Sequence, residues 1–216
     1  MGERVRALRT VSMSRDVGRP RRLVLASNNA AKAVELRDLL ADSGWQVATP
    51  AELSLPPIDP IEGGRSYLEN ATIKATSFAR VARMPALADD SGLEVDALDG
   101  RPGLFSARYG GVSPSGDGLR MQRLLEELRG VPRGLRTARF RATVVLALPG
   151  GETHAREGVV EGRISEAPRG ENGFGYDPIF ELPEGLTMAE IGERKEAISH
   201  RALAIRAMID VLTRLS

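Results

Sequence analysis

The stretch that most narrows the possible folds runs from Arg139 to Ile164. It begins in strict alternation, with Phe140, Ala142 and Val144 set against Arg139, Arg141 and Thr143. It ends as an unbroken apolar run, Val144 to Leu148. A period of two is that of a strand. Pro149-Gly150-Gly151 makes a turn, and Glu152 to Ile164 reads as the return strand of a hairpin. The chain opens differently. Leu23 to Ala26 is a short buried strand that ends in the polar turn Ser27-Asn28-Asn29, and Ala33, Leu36, Leu39 and Leu40 then recur at helical spacing. Early alternation of strand and helix with a later hairpin predicts an α/β protein built on a mixed sheet.

Between these landmarks, Thr49 to Gly64 carries Pro50, Pro56, Pro57 and Pro60 and reads as loop. A second helix follows, with Leu68, Ala71, Ala75, Phe78, Ala79 and Ala82 on one face. Ser66 is its N-cap, Glu69 stands three residues on, and Pro85 breaks it. Ala86 to Ala88 reads as a short strand and Asp89-Asp90-Ser91-Gly92 as the turn after it. Pro102 to Gly118 is irregular; Met121, Leu124, Leu125 and Leu128 mark a third helix. Pro168 to Pro178 is irregular and Gly-rich. A last helix is predicted over Ile198 to Leu215, with Ile198, Ala202, Ile205, Ile209 and Leu212 on one face.

Composition excludes several classes of function. The 216 residues contain no cysteine, so there is no disulfide, thiolate metal site or Cys nucleophile. The same absence fits a reducing, cytoplasmic setting. Lys and Arg total 30 against 29 Asp and Glu, a net charge of +1 that gives no global reason to expect a nucleic acid or a membrane as partner. No apolar run reaches the roughly 18 residues needed to span a bilayer. Seven arginines lie between Arg4 and Arg22, with no apolar core of a secretory signal among them. Residues 1–22 read as a disordered Arg-rich extension and 23–216 as a single domain.

Four segments carry residues suited to chemistry. Ser27, Asn28, Asn29, Ala30, Ala31 and Lys32 lie between a strand end and a helix start. Backbone N–H groups and the helix dipole favour a phosphate there, and Lys32 adds a full charge. It is not a Walker A loop, because Ala33 follows the lysine. Glu62 with Asp89-Asp90 offers the carboxylate oxygens that hard divalent cations take, and a metal-activated water needs a carboxylate base beside it. In Gly173-Phe174-Gly175-Tyr176-Asp177-Pro178, two glycines around Phe174 let the backbone approach a flat ligand while the ring stacks on it; Asp177 can accept from ring nitrogens. Lys195 and Ser199-His200-Arg201 complete the set. His200 is one of two histidines, placed where a helix N-terminus presents it with Arg201 to a base or phosphate. Each segment alone also fits a capped helix or a solvated turn.

Taken in order, these segments resemble the inosine/xanthosine triphosphate pyrophosphatase family from about Leu23 to the C-terminus. The matching residues are Leu25-Ala26-Ser27-Asn28-Asn29 with Lys32; Glu62 with Leu68-Glu69-Asn70-Ala71 and Lys74; Ala88 to Leu93; Pro102-Gly103 with Ser106-Ala107-Arg108-Tyr109; Gly173 to Pro178; and Lys195 with Ile198 to Arg201. The resemblance implies an elongated, two-lobed α/β fold with a long mixed sheet and a cleft between the lobes. It also implies a homodimer, Mg2+ as cofactor and a purine nucleoside triphosphate as substrate. By the same resemblance, Ser27 to Lys32 hold the triphosphate with Lys74 as helper. Glu62 and Asp90 bind the magnesium, and Asp90 is also catalytic, taking the proton from the attacking water. Ser91 contacts substrate. Phe174, Gly175, Tyr176, Asp177, Lys195, His200 and Arg201 contact the nucleotide and its base. Many members have Gly where Asn28 or Ala31 stands, and the Cβ of Ala31 would strain a position needing positive φ.

Two rivals differ in stated ways. The septum-inhibitor family shares a related fold, but its opening motif has Ser-Pro-Arg-Arg where Asn28 to Lys32 stand here. A non-catalytic nucleotide or RNA binder using the basic arm would not need Glu62, Asp90 and Lys32 together, and its binding would depend steeply on salt.

Overall fold

In a computed structural model of the chain, residues 21–27, 29–111 and 116–215 are described. Asn28 and the first twenty residues of the Arg-rich extension lie outside them. The elements are β1 (Arg21–Leu25), α1 (Ala30–Leu39), β2 (Trp45–Ala48), α2 (Tyr67–Ala82), β3 (Ala86–Val95), α3 (Asp117–Glu127), β4 (Thr137–Ala147), β5 (Thr153–Ile164), β6 (Phe180–Glu181), α4 (Lys195–Ile198) and α5 (His200–Arg214). They form one mixed sheet in the order β2-β1-β3-β4-β5-β6. β1 runs parallel to β2 and β3, and the remaining neighbours are antiparallel.

The long hairpin is the spine. β4 and β5 pair from Thr137↔Arg163 to Ala147↔Thr153. Three clusters pack on the sheet they anchor. Leu23, Leu25, Leu87, Val144 and Leu146 meet Leu36 of α1 and Ile205, Met208 and Leu212 of α5. Val24, Ala86, Ala88, Val145 and Ala147 point to the other face, against Ala71, Ala75 and Phe78 of α2. Further along the hairpin, Leu93, Val95, Ala138 and Phe140 meet Leu124 and Leu128 around α3 and Phe180 from β6. Two cores thus lie at one end of the sheet and one at the other, joined by the same strands.

Four elements depart from the sequence reading. β1 starts at Arg21, two residues before the apolar run, because Arg21 and Arg22 pair with Trp45 and Gln46. Ala86 to Ala88 is not a short strand before a turn. β3 continues through Asp89-Asp90-Ser91-Gly92 to Val95, paired with β4 at every residue. Acidic residues disfavour strands, but a continuous antiparallel partner overrides that preference. The last helix is broken: Ser199 leaves α4 with ψ 156° and caps α5, its hydroxyl accepting from the Ala202 N–H at 3.1 Å. In the irregular stretch, 3-10 turns cover Gly103–Gly111 and α3 starts at Asp117. Other local rules hold. Ser66 caps α2, accepting from Glu69 N–H at 3.1 Å, while the Glu69 carboxylate accepts from Arg65 N–H at 2.6 Å. Ala31 lies inside α1, with Asn29 as N-cap, and needs no positive φ.

Candidate active site

β1 pairs with β3 only as far as Leu25↔Leu87. Past that point β3 carries Asp89, Asp90 and Ser91 beyond the carboxyl end of β1, with no strand on that edge. Loops after parallel strands gather at such a place, and so does the N-terminus of α1. The strand's period of two sends Asp89 and Ser91 to the α1 and α5 face and Asp90 to the α2 face.

On the first face, Lys32 Nζ lies 3.1 Å from both Asp89 Oδ2 and Ser91 Oγ. Arg201 Nε donates to Asp89 Oδ2 at 3.1 Å and its Nη2 to Ser91 Oγ at 2.8 Å. Its Nη1 reaches Glu35 Oε2 at 3.1 Å. Burial alone would raise the Asp89 pKa, but Lys32 and Arg201 overcome it and hold the carboxyl far below its usual range. Burial lowers the Lys32 pKa, against the pull of Asp89.

On the second face, one ammonium serves two carboxylates: Lys74 Nζ is 3.0 Å from Asp90 Oδ1 and 3.2 Å from Glu62. Asn70 Nδ2 donates to Asp90 Oδ2 at 3.2 Å, and its own Oδ1 accepts from Gly64 N–H at 2.9 Å, tying the loop that bears Glu62 to α2. Burial raises the Asp90 pKa in spite of Lys74. The Lys74 pKa is raised: burial opposes this, but Asp90, Asp89 and Glu62 prevail.

A cavity of about 280 Å3 opens beside these groups, lined among others by Asn29, Ala31, Phe174, Tyr176, Asp177 and His200. The His200 ring stacks on Phe140, with centroids 4.8 Å apart and planes 14° apart. Burial, with Arg201 beside it, lowers the His200 pKa well below its ordinary value, so the ring is neutral. Its buried Nδ1 has no hydrogen-bond partner among the described residues. Over the Phe174 ring stand Lys195 Nζ at 4.7 Å and the Arg201 guanidinium at 5.1 Å.

Two expected residues have partners within the protein as well. Asp177 Oδ2 accepts from Lys195 Nζ at 2.8 Å and from Phe174 N–H at 2.9 Å, which ties it to the loop. Gly173, at φ 81°, is there for that carboxylate, because a Cβ would stand 2.1 Å from Asp177 Oδ2. Tyr176 turns inward, its hydroxyl donating to Ser106 O at 2.9 Å. Lys32, Ser91, Phe174, Gly175, His200 and Arg201 line one cavity, Lys74, Glu62 and Asp90 form one cluster, and Ser27 lies two residues past the end of β1; Asn28 is outside the described residues.

Several functional neighbours had no role in the sequence reading. Glu35 sits one turn after Lys32 on α1, and Asn70 one turn before Lys74 on α2; helical spacing alone could have found both. Asp117 and Arg120 had no such signal. Arg120 pairs with Asp117, whose other oxygen accepts from Gly175 N–H at 2.7 Å across 58 residues of sequence.

Fold and site together describe an α/β protein with a charged cleft beside a cavity lined by aromatic side chains. The chain belongs to the Ham1 family, whose model matches residues 23–211. A dITP/XTP pyrophosphatase of Thermus thermophilus is 51% identical over 191 residues, covering 88% of this chain and 90% of that protein. One of Geobacillus kaustophilus is 48% identical, covering 85% and 90%. The solved structure of a HAM1 protein from Coxiella burnetii superposes with a TM-score of 0.80 at 41% identity, covering 90% of this chain and 99% of that one.

Proposed function

We infer that the chain hydrolyses non-standard purine nucleoside triphosphates, the inosine and xanthosine forms, to the monophosphate and pyrophosphate. The observation that carries this reading is a single strand edge, where β3 presents a carboxylate pair and a cation-lined face beside a cavity for a ring. Relatives named dITP/XTP pyrophosphatase, matched over most of both chains, support it.

Magnesium fits the residues present. Glu62 and Asp90 lie within 3.2 Å of one ammonium, so their oxygens converge on one cation position. Among the described residues no cluster of three His, Cys, Asp or Glu side chains forms a complete cage. Two carboxylates completed by phosphate oxygens and water are what magnesium commonly accepts. Glu62 and Asp90 would hold it, and when bound it supplies positive charge against the phosphate oxygens.

The chain's own residues do the rest. Lys32 and Lys74 exchange carboxylate partners for triphosphate oxygens and stabilise the charge that develops on them. Ser27 and Asn29 to Lys32 add N–H donors around the start of α1, and the expectation for Asn28 in the same stretch of sequence lies outside the described residues. Asp90 accepts the proton of the attacking water. Water oxygen bonds to the α-phosphorus, and the bond to the bridging oxygen breaks, so that pyrophosphate leaves. The base stacks on Phe174. His200 and Arg201 direct donors at O6, and the 6-amino group of adenine would set donor against donor.

The same reading carries a homodimer working on the nucleotide pool of the cytoplasm, to be checked by light scattering and fractionation. The test of function is pyrophosphate release from inosine, xanthosine, adenosine, guanosine and thymidine triphosphates, with magnesium and with chelator. Magnesium-dependent release from the first two alone is expected. Equal release from adenosine triphosphate would mean that His200 and Arg201 do not read the base.

A further inference from the structure

The Phe174 ring lines the cavity, but its backbone is soft by sequence. It stands between Gly173 at φ 81° and Gly175 at φ 66°. A Cβ at Gly175 would meet nothing within 4 Å, so that glycine serves the backbone angle alone. A ring carried between two such residues keeps one position only if the peptide groups around it are held. Asp177 supplies one tie, its Oδ2 accepting from Phe174 N–H at 2.9 Å. The same oxygen accepts from Lys195, which joins the turn to α4.

A second tie comes from the first turn of α3. Asp117 Oδ2 accepts from Gly175 N–H at 2.7 Å, across 58 residues of sequence. Arg120, three residues on and so on the same side of the helix, pairs with the other Asp117 oxygen. Arg120 also donates to the Tyr176 hydroxyl, which itself donates to Ser106 O at 2.9 Å. Arg120 is buried and braces Asp117 from behind. We propose that Asp117 is a positioning residue for the substrate base: through the Gly175 N–H it sets where the Phe174 ring stands in the cavity. The proposal rests on the function given above. Two carboxylates take successive N–H groups, Asp177 that of Phe174 and Asp117 that of Gly175, so the ring is held on both sides of its own Cα. Loss of the Asp177 tie would also release Lys195, whose ammonium stands over the ring. Loss of the Asp117 tie frees the Gly175 peptide and leaves Lys195 in place.

The test is a double-mutant cycle on inosine triphosphate. KM and kcat for pyrophosphate release are measured for the wild type, Asp117→Ala, Asp117→Asn, Phe174→Ala and the double variant Asp117→Ala with Phe174→Ala, each below its thermal unfolding transition. Asp117→Ala should raise KM roughly tenfold with kcat nearly kept, the size of losing the stacking surface itself. Asp117→Asn keeps an oxygen for the Gly175 N–H and should recover most of that KM. In the double variant, Asp117→Ala should add less than about twofold to the effect of Phe174→Ala, because no ring is left to position. Losses that multiply would mean that Asp117 acts on substrate directly or on the fold as a whole, and would overturn the proposal. So would an unchanged KM in Asp117→Ala, or an Asp117→Ala chain that does not fold, which would make the residue structural. A folded wild type inactive on inosine and xanthosine triphosphates would overturn the enzymatic reading itself, and this inference with it.

Discussion

At the carboxylate end of the site, charge is balanced before any substrate arrives: Lys32 lies on Asp89, Lys74 on Asp90 and Glu62, and Arg201 on Asp89 and Glu35. At the ring end, order comes from packing: His200 lies flat on Phe140, Phe174 is pinned through Asp177, and α5 sits tight on β5 at Gly158. The difference teaches how one cleft does two jobs. A triphosphate can trade places with carboxylates already in a low-dielectric setting, so the cations need little rearrangement to meet it. A base enters a slot whose shape is set in advance, where His200 Nδ1 has no partner among the described residues. Damage to the first end should cost turnover; damage to the second should cost selection.

Loss of Asp90 itself apart, the largest effect expected from breaking this division is at Lys32. Lys32→Met should lower kcat/KM about 100- to 1,000-fold on every substrate, without changing their ranking, the size seen when one transition-state donor is lost. A changed ranking would show that the ends are not separate. Gly158→Ala attacks the other end from below. Its Cβ would stand 2.1 Å from His200 O and 2.7 Å from Ala204 N, so α5 must lift off β5. Thermal and urea unfolding should show a loss of roughly 1–3 kcal/mol, and discrimination against adenosine triphosphate should weaken. Phe174→Ala removes the stacking surface. KM for inosine triphosphate should rise about tenfold with kcat nearly kept, since base–aromatic stacking is worth about 1–3 kcal/mol.

The smallest effect is a pH dependence. His200 stays neutral in the fold because burial, with Arg201 beside it, keeps its pKa well below 6.5. In the unfolded chain it binds a proton near that value. Stability is therefore whole above pH 6.5 and declines as pH falls below it. His200→Gln should flatten that acid decline in thermal unfolding, and an unaltered slope would mean that the ring is charged in the fold.

Much of this arrangement was legible in the sequence, for reasons that differ along the chain. The hairpin, the α2 cap and the Ser27 to Lys32 loop are local patterns, and local patterns are what periodicity and capping rules detect. Asp89-Asp90-Ser91-Gly92 was legible as a site but not as a strand. Its tertiary partner, β4, is fifty residues away and outweighs the turn preference of the residues themselves. Asp177 was legible as a site residue, but its role depends on Lys195 and on the close approach of Gly173. Asp117 and Arg120 sit on an ordinary amphipathic helix, and nothing local marks that one reaches Gly175 and the other lines the cavity.

The division of labour is tested most directly by the affinity and turnover of Asp90→Asn on inosine triphosphate, measured together in magnesium. The account predicts binding within a few-fold of wild type and turnover reduced about 100- to 10,000-fold, the contribution of a positioned general base. Turnover close to wild type would contradict it and move the proton acceptor away from β3.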